Sequence, residues 1–255
     1  MKEIVSTKNQ FIKEIKKLHT LKGRNSANQY LIEGFHLLEE AANAGKELDY
    51  IFFTHKAQEQ WASWLTEQNE DKKFLVSQEV MNQISTLPTS QGIAGVLQME
   101  ENILPARFSG RWLLLDQVQD PGNVGTMIRT ADAAGFAGVV LGEGSADIYN
   151  SKVLRSMQGS NFHLPIYQAD LRILIEKMKE TNITIYGTEL NEAALPLKQV
   201  PASRENLALI MGNEGAGVAK DLLEMTHANI YIELKGRAES LNVAIAAGVL
   251  MFHFS

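Results

Sequence analysis

Beyond residue 111 the chain sets short apolar runs between helical patterns: WLLL (112–115), GVVL (138–141), LPIY (164–167), ITIYG (183–187), LALIMG (207–212) and ANIYIEL (228–234). Most of these short runs are too uniformly apolar to alternate in and out. They read as strands buried on both faces, the condition of a parallel sheet with helices above and below. The last such pattern, SLNVAIAAGVLMF (240–252), is a helix apolar nearly all round. A helix of that kind must bury itself in the core or against another subunit.

The first hundred residues are smaller in scale. Residues 8–19 predict a helix with Phe11, Ile12, Ile15 and Leu18 on one face, and a polar loop, KGRNSANQ, follows. A strand at 30–32, a helix at 34–44 ending at Gly45, a strand at 49–54, a helix carrying Trp61, Trp64 and Leu65, and strands at 74–76 and 93–99 complete a small α/β unit. The polar stretch ENILPARFSGR (101–111), with Pro105 and Gly110, is the linker. Two domains are expected, 1–106 and 107–255. Charge divides similarly. The chain carries a net charge of −6, yet its first 28 residues hold seven cations and only two carboxylates, +5, which leaves −11 for the rest. Lys13, Lys16, Lys17, Lys22 and Arg24 are thus candidate phosphate contacts, although a solvated amphipathic helix would look the same.

Several functions are excluded. The chain has no cysteine, so disulfides, thiolate nucleophiles and Cys-ligated zinc are ruled out. Its opening, MKEIVSTKNQFIKEIKKL, lacks an apolar signal core, and the longest nearly uncharged stretch, 240–252, is too short to span a bilayer. A cytoplasmic protein is expected. The six histidines form no HxxxH pair, no GxSxG is present, and no metal is expected.

Glycine-rich loops follow three of the strands: DPGNVG (120–125), GEGSAD (142–147) and GNEGAG (212–217). In an open parallel sheet such loops lie where ligands bind, although a glycine loop after a strand is most often only a turn. Val218 and Ala219 stand where a P-loop needs Lys and Ser/Thr, and GEGSAD lacks the third glycine of the dinucleotide fingerprint. Both an NTPase and a nicotinamide enzyme are disfavoured. Short polar side chains sit at loop–helix junctions: Asn123, Glu214, Ser240 and Asn242. They suit either alignment of reacting groups or simple helix capping.

Taken in order, DQVQDPGNVGTMIRTADAAG (116–135), LALIMGNEGAGV (207–218) and IYIELKGRAESLNVAIAAGVLMF (230–252) resemble the three signature motifs of the SpoU (TrmH) family. These are S-adenosylmethionine-dependent RNA 2′-O-methyltransferases of the SPOUT superfamily. FIKEIKKL, YLIEGFHLLEEA and STLPTSQGIAGVL resemble the family's substrate-binding domain. The resemblance implies a small N-terminal α/β domain followed by a parallel-sheet α/β domain closed by a trefoil knot, and a homodimer acting on RNA; the extra N-terminal domain favours ribosomal RNA over transfer RNA. It implies that Thr188, Glu189, Gly212, Ile232 and Leu241 line the cofactor. It marks Arg129 as the catalytic arginine. A guanidinium is a poor base, so electrostatic work on a phosphate and a developing alkoxide is expected of it; pairing with Asp132 is the structural alternative. Arg155 is a second candidate phosphate contact. Two positions depart from the family pattern: Glu233 where proline is usual, and Met157 where serine is expected. The rival functions are a catalytically inactive RNA-binding or ribosome-assembly factor on the same fold and an unrelated nucleotide-binding α/β enzyme.

Overall fold

A computed structural model describes residues 2–191, 193–202 and 205–255. It divides into two compact units. One comprises the chain as far as Glu101 together with Tyr149–Phe162; the other comprises Asn102–Ile148 with His163–Ser255.

In the first unit the elements run β1 (Lys2–Ile4), α1 (Gln10–Lys17), α2 (Leu21–Ala27), β2 (Gln29–Glu33), α3 (Phe35–Asn43), β3 (Tyr50–Phe53), α4 (His55–Gln60), α5 (Ala62–Glu67), β4 (Lys73–Val76), α6 (Gln78–Ile84) and β5 (Ile93–Gln98). The sheet order is β1-β4-β3-β5-β2, with β5 antiparallel to both of its neighbours. Ile12 and Ile15 of α1 pack into a core with Phe52, Phe74, Met81 and Ile84.

The polar stretch expected as a loop folds instead as α2, and Arg24 explains why. Its side chain is buried, and its Nη1 donates to the Leu18 carbonyl at 2.9 Å, tying the new helix to the end of α1. A Cβ on Gly23 would lie 2.0 Å from the Lys17 oxygen, so glycine alone permits this corner. The single helix expected around Trp61 is broken there, because Trp61 leaves helical geometry at φ −122° and separates α4 from α5.

The second unit contains β6 (Arg111–Leu115), α7 (Pro121–Ala133) and β7 (Gly138–Leu141). The chain then sends α8 (Ser151–Met157) into the first unit. It resumes with β8 (Ile166–Gln168), α9 (Leu171–Glu180), β9 (Thr184–Thr188), β10 (Leu195–Pro196), β11 (Leu207–Met211), α10 (Lys220–Glu224), β12 (Ala228–Tyr231) and α11 (Val243–His253). The sheet order is β10-β12-β9-β11-β6-β7-β8, and every pairing is parallel. All the residues of β11 and of β7 are buried, as continuous apolar runs demand. Because β12, β9, β11 and β6 are neighbours, the loops leaving their carboxyl ends converge on one edge of the sheet.

Helix α7 starts where Asp120 accepts a hydrogen bond from the Asn123 amide and Pro121 occupies the first turn. Helix α11 starts at Asn242, whose side chain accepts from the amides of Ala244 and Ile245. It packs on α7 and β11 through Ala244, Ala247, Leu250 and Met251. Its other side leaves Ile245 at 57%, Val249 at 43% and Phe252 at 57% exposure, in line with Leu241 before the helix. Of the two ways to bury this helix, the core alone supplies half.

Candidate active site

The loops after β9, β11 and β12 enclose a cavity of about 640 Å³. Thr188, Glu189, Gly212, Ile232 and Leu241 all stand on its wall, together with Ser240 and Glu214. Met211, Ile230 and Leu250 give it an apolar floor. At Gly212 the chain folds tightly back on itself: a Cβ there would lie 2.1 Å from the Gly217 carbonyl carbon and 2.2 Å from the Val218 nitrogen. The loop closes only with glycine, and backbone lines the cavity at that point. Asn213 sets the turn. Its Oδ1 accepts from the amides of Gly215 and Ala216, and its Nδ2 donates to the Gln117 carbonyl. Asn213 was not among the predicted site residues; its place inside GNEGAG was the available signal, since Asn closes local turns through its own side chain.

Four of the predicted polar side chains meet at this edge, three of them in one hydrogen-bond chain. Asn242 Nδ2 donates to Asn123 Oδ1 at 3.1 Å, and Asn123 Nδ2 donates to Glu214 Oε1 at 3.0 Å. The backbone amides of Asp120 and Gln119 also donate to Glu214, at 3.0 and 3.3 Å. Burial alone would raise the Glu214 carboxyl, but the bonds from Asn123 and these amides outweigh it and hold the group below its ordinary range. Glu214 is therefore ionised at neutral pH. It ties the β11 loop to the start of α7, and Asn242 ties α11 to both. Ser240 lies on the cavity wall outside this chain of bonds.

The three glycine loops do not contribute equally. GNEGAG lines the cavity; DPGNVG reaches it through Asn123 and Glu214; GEGSAD is absent from the wall. The expectation that all three line one ligand is corrected: Gly142 packs on Leu171 and Gly144 on Gln117, so that loop serves as a turn.

Arg129 is exposed on α7 and is not on the cavity wall. Among the described residues it makes no ion pair with Asp132, whose carboxylate lies 3.5 Å from His163 Nδ1. The basic candidates of the first unit separate. Lys13 and Lys22 are exposed; Lys16 donates to Gln83 at 2.7 Å and Lys17 to Glu14 at 2.6 Å. Arg24 is withdrawn as a phosphate contact because it is buried against the Leu18 carbonyl. Arg155, on α8, donates to Thr86 Oγ1 at 3.0 Å and lies 3.9 Å from the Glu33 carboxylate, so its charge is engaged within the protein.

Both departures from the family pattern find partners. Glu233 lines the cavity and pairs with Lys198 at 2.8 Å, which raises the Lys198 ammonium above its ordinary value. Met157 is buried in apolar packing, where a serine hydroxyl would need a partner. Among the described residues no group of three or more His, Asp or Glu side chains forms a metal site.

Comparison with known proteins agrees with this arrangement. The model of the SpoU rRNA methylase family matches residues 110–252, and that of the MRM3-like substrate binding domain matches residues 9–95. The chain is 46% identical to the 23S rRNA (guanosine(2553)-2′-O)-methyltransferase of Bacillus subtilis, over 99% of each chain. It is 36% identical to an uncharacterised tRNA/rRNA methyltransferase of Synechocystis over 98% of this chain and 92% of that one. The structure of an AdoMet-bound rRNA methyltransferase from Sinorhizobium meliloti superposes with a TM-score of 0.86 at 29% identity, covering 99% of this chain and 97% of the other. The signature loops, the all-parallel sheet and these matches make the chain a member of the SpoU rRNA methylase family.

Proposed function

We propose that this protein transfers a methyl group from S-adenosylmethionine to a ribose 2′-hydroxyl of ribosomal RNA. The Bacillus relative acts on a guanosine of 23S rRNA, and the equivalent guanosine is the first substrate to test. The observation that carries the proposal is the cavity bounded by Gly212, with the Asn242–Asn123–Glu214 chain at its edge.

The cavity suits the cofactor on its own chemistry. An apolar floor accepts a purine, the glycine-bounded loop offers backbone groups at close range, and Thr188 and Glu189 supply polar contacts on one wall. Bound there, S-adenosylmethionine supplies an electrophilic methyl on a sulfonium. The protein's part is alignment. Asn123 is held from both sides, by Asn242 and by Glu214, so its amide cannot rotate freely. Ser240 presents a hydroxyl on the same wall. Glu214 has a depressed pKa and is a weak base; it acts as a fixed acceptor that positions Asn123. Arg129, exposed on α7, supplies positive charge for an RNA phosphate and for alkoxide character on the attacking oxygen.

The first unit, chiefly the chain as far as Glu101, holds the RNA, and the second unit carries the transfer. The apolar stripe Leu241, Ile245, Val249 and Phe252 supports a homodimer formed through α11, which buries the face that the core leaves open. The trefoil knot belongs to the same proposal and rests on membership of the family. Among the described residues no helix is long and apolar enough to cross a membrane, and a ribosomal RNA substrate supports a cytoplasmic location. No observation favours an inactive assembly factor. Mapping of methyl groups on ribosomal RNA from cells lacking the protein tests the proposal: one ribose should lose its methyl.

A further inference from the structure

A second pocket, of about 570 Å³, opens wholly within the first unit and shares no residue with the cavity above. Lys56, Gln60 and Trp61 come to it from α4 and its end, Gln78 and Asn82 from α6, and Gln91 from the loop before β5. Among the described residues no carboxylate lines it, although acidic residues outnumber basic ones by 30 to 24 in the chain. Its polar side chains are four amides, three hydroxyls and one ammonium. An amide carries both donors and an acceptor, the mixture that the edge of a nucleobase presents; Gln78 Nε2 donates to Asn82 Oδ1 at 2.9 Å, which orients that pair and leaves the Asn82 amino group and the Gln78 oxygen for a ligand. The single cation, Lys56, matches the single negative charge of one phosphodiester.

The pocket is built in advance. The Phe35 ring stacks on the Trp61 indole at 4.8 Å with the planes 3° apart, fixing the ring. Buried Glu33 accepts from the hydroxyl of Ser85 and from Thr86, the latter through N at 3.0 Å and through Oγ1 at 2.5 Å, and so clamps the start of the 85–92 loop. At the loop's end Gln91 Oε1 accepts from the Phe35 amide at 3.1 Å. Gly92 holds φ +83°, and a Cβ there would lie 2.6 Å from Thr54 Oγ1. On α6, Gln83 beside Asn82 accepts from Lys16 of the basic N-terminal helix. Positive charge for an RNA backbone thus reaches the helix that forms one wall.

We propose that this pocket takes one unpaired nucleotide of the RNA substrate. The base lies against the Trp61 indole, the amides of Gln60, Gln78 and Asn82 read its edge, and Lys56 meets its phosphate. Proteins read RNA sequence mainly through unstacked bases held in this way, on an aromatic ring with polar groups at the edge. The proposal rests on the assignment of ribosomal RNA as substrate, and it gives the first unit selectivity that surface lysines alone do not provide.

The test uses the full-length protein with Gln60→Ala, Asn82→Ala and Lys56→Ala made singly. All three side chains are exposed, so thermal midpoints should match wild type. Binding of 23S rRNA lacking this methyl is measured across salt concentrations, and methylation kinetics are measured in parallel. Gln60→Ala and Asn82→Ala should each raise Kd and the RNA KM by about 2–10-fold, with kcat, cofactor affinity and salt slope unchanged. Lys56→Ala should weaken binding and lower the log–log salt slope by about 0.7. Wild-type RNA affinity in all three variants would overturn the proposal, as would a loss confined to kcat. Failure of the proposed activity looks different: a wild-type protein that binds the RNA with this pocket dependence but transfers no methyl would overturn the transferase and support the pocket.

Discussion

Replacing Glu214 with Ala removes the acceptor shared by Asn123 Nδ2 and by the amides of Asp120 and Gln119. A hydrogen bond to an ionised group is worth about 1.5–3 kcal/mol net when sheltered. Glu214 is largely open to solvent, where water replaces much of what is removed. The three bonds together should therefore contribute about 1–2 kcal/mol to ordering the 119–123 segment and the Asn123 amide it carries, a fall of roughly 5–30-fold in kcat/KM at about 1.4 kcal/mol per decade. Glu214→Gln keeps one oxygen for Asp120 and Asn123 but turns an amino group toward the Gln119 amide, so its loss should be smaller. The pH dependence has a defined sign. A carboxyl whose folded pKa is depressed contributes stability above its unfolded value and loses it as pH falls through the folded one. Between pH 6 and 8 nothing should titrate at this position. The assay is transfer of labelled methyl from S-adenosylmethionine to 23S rRNA across that range. A wild-type rate for Glu214→Ala would refute the positioning role. Loss of a kinetic limb near neutrality in Glu214→Gln would refute it differently, by making Glu214 the base.

Arg129→Ala should cost on the order of 10²–10³ in methylation rate and leave calorimetric affinity for S-adenosylhomocysteine nearly unchanged; retained turnover excludes the electrostatic role. Ile245→Asp combined with Phe252→Asp places charge in the exposed stripe of α11. Each side chain is worth about 1.5–3 kcal/mol when buried, so light scattering should show the dimer falling to monomer, and a wild type that is already monomeric at micromolar concentration counts against the interface. Changing Lys13, Lys16 and Lys17 together to Ala should weaken RNA binding and reduce its salt slope by about 0.7 for each phosphate no longer neutralised. An unchanged slope would return α1 to a merely solvated helix.

Legibility in the sequence followed physical lines. The strands β6, β7, β9 and β11 could be read because parallel strands covered on both faces need unbroken apolar runs. The edge strands β1 and β10, three and two residues long, carry no such pattern, and only their neighbours define them. Arg24 was misread because a guanidinium in a polar stretch implies solvent, whereas here the Leu18 carbonyl takes it into the α1–α2 corner. The docking of α8 in the first unit was invisible for a related reason. Val153, Leu154 and Met157 bury at helical spacing, but spacing does not say against what. At the site, Asn123, Glu214 and Asn242 could be picked out singly as junction residues. Their union into one chain of bonds was not legible, because it joins positions up to 119 residues apart.

The central claim is that a ribose oxygen receives the methyl. The direct measurement is nucleoside mass spectrometry of unmethylated 23S rRNA after incubation with the protein and S-adenosylmethionine, with the modified position located by fragment mapping. The expected product is one 2′-O-methylguanosine, at the guanosine equivalent to that modified by the Bacillus relative, formed on the order of 10²–10³-fold more slowly with Arg129→Ala. A base-methylated nucleoside, or cofactor binding with no methyl on any RNA, would contradict it.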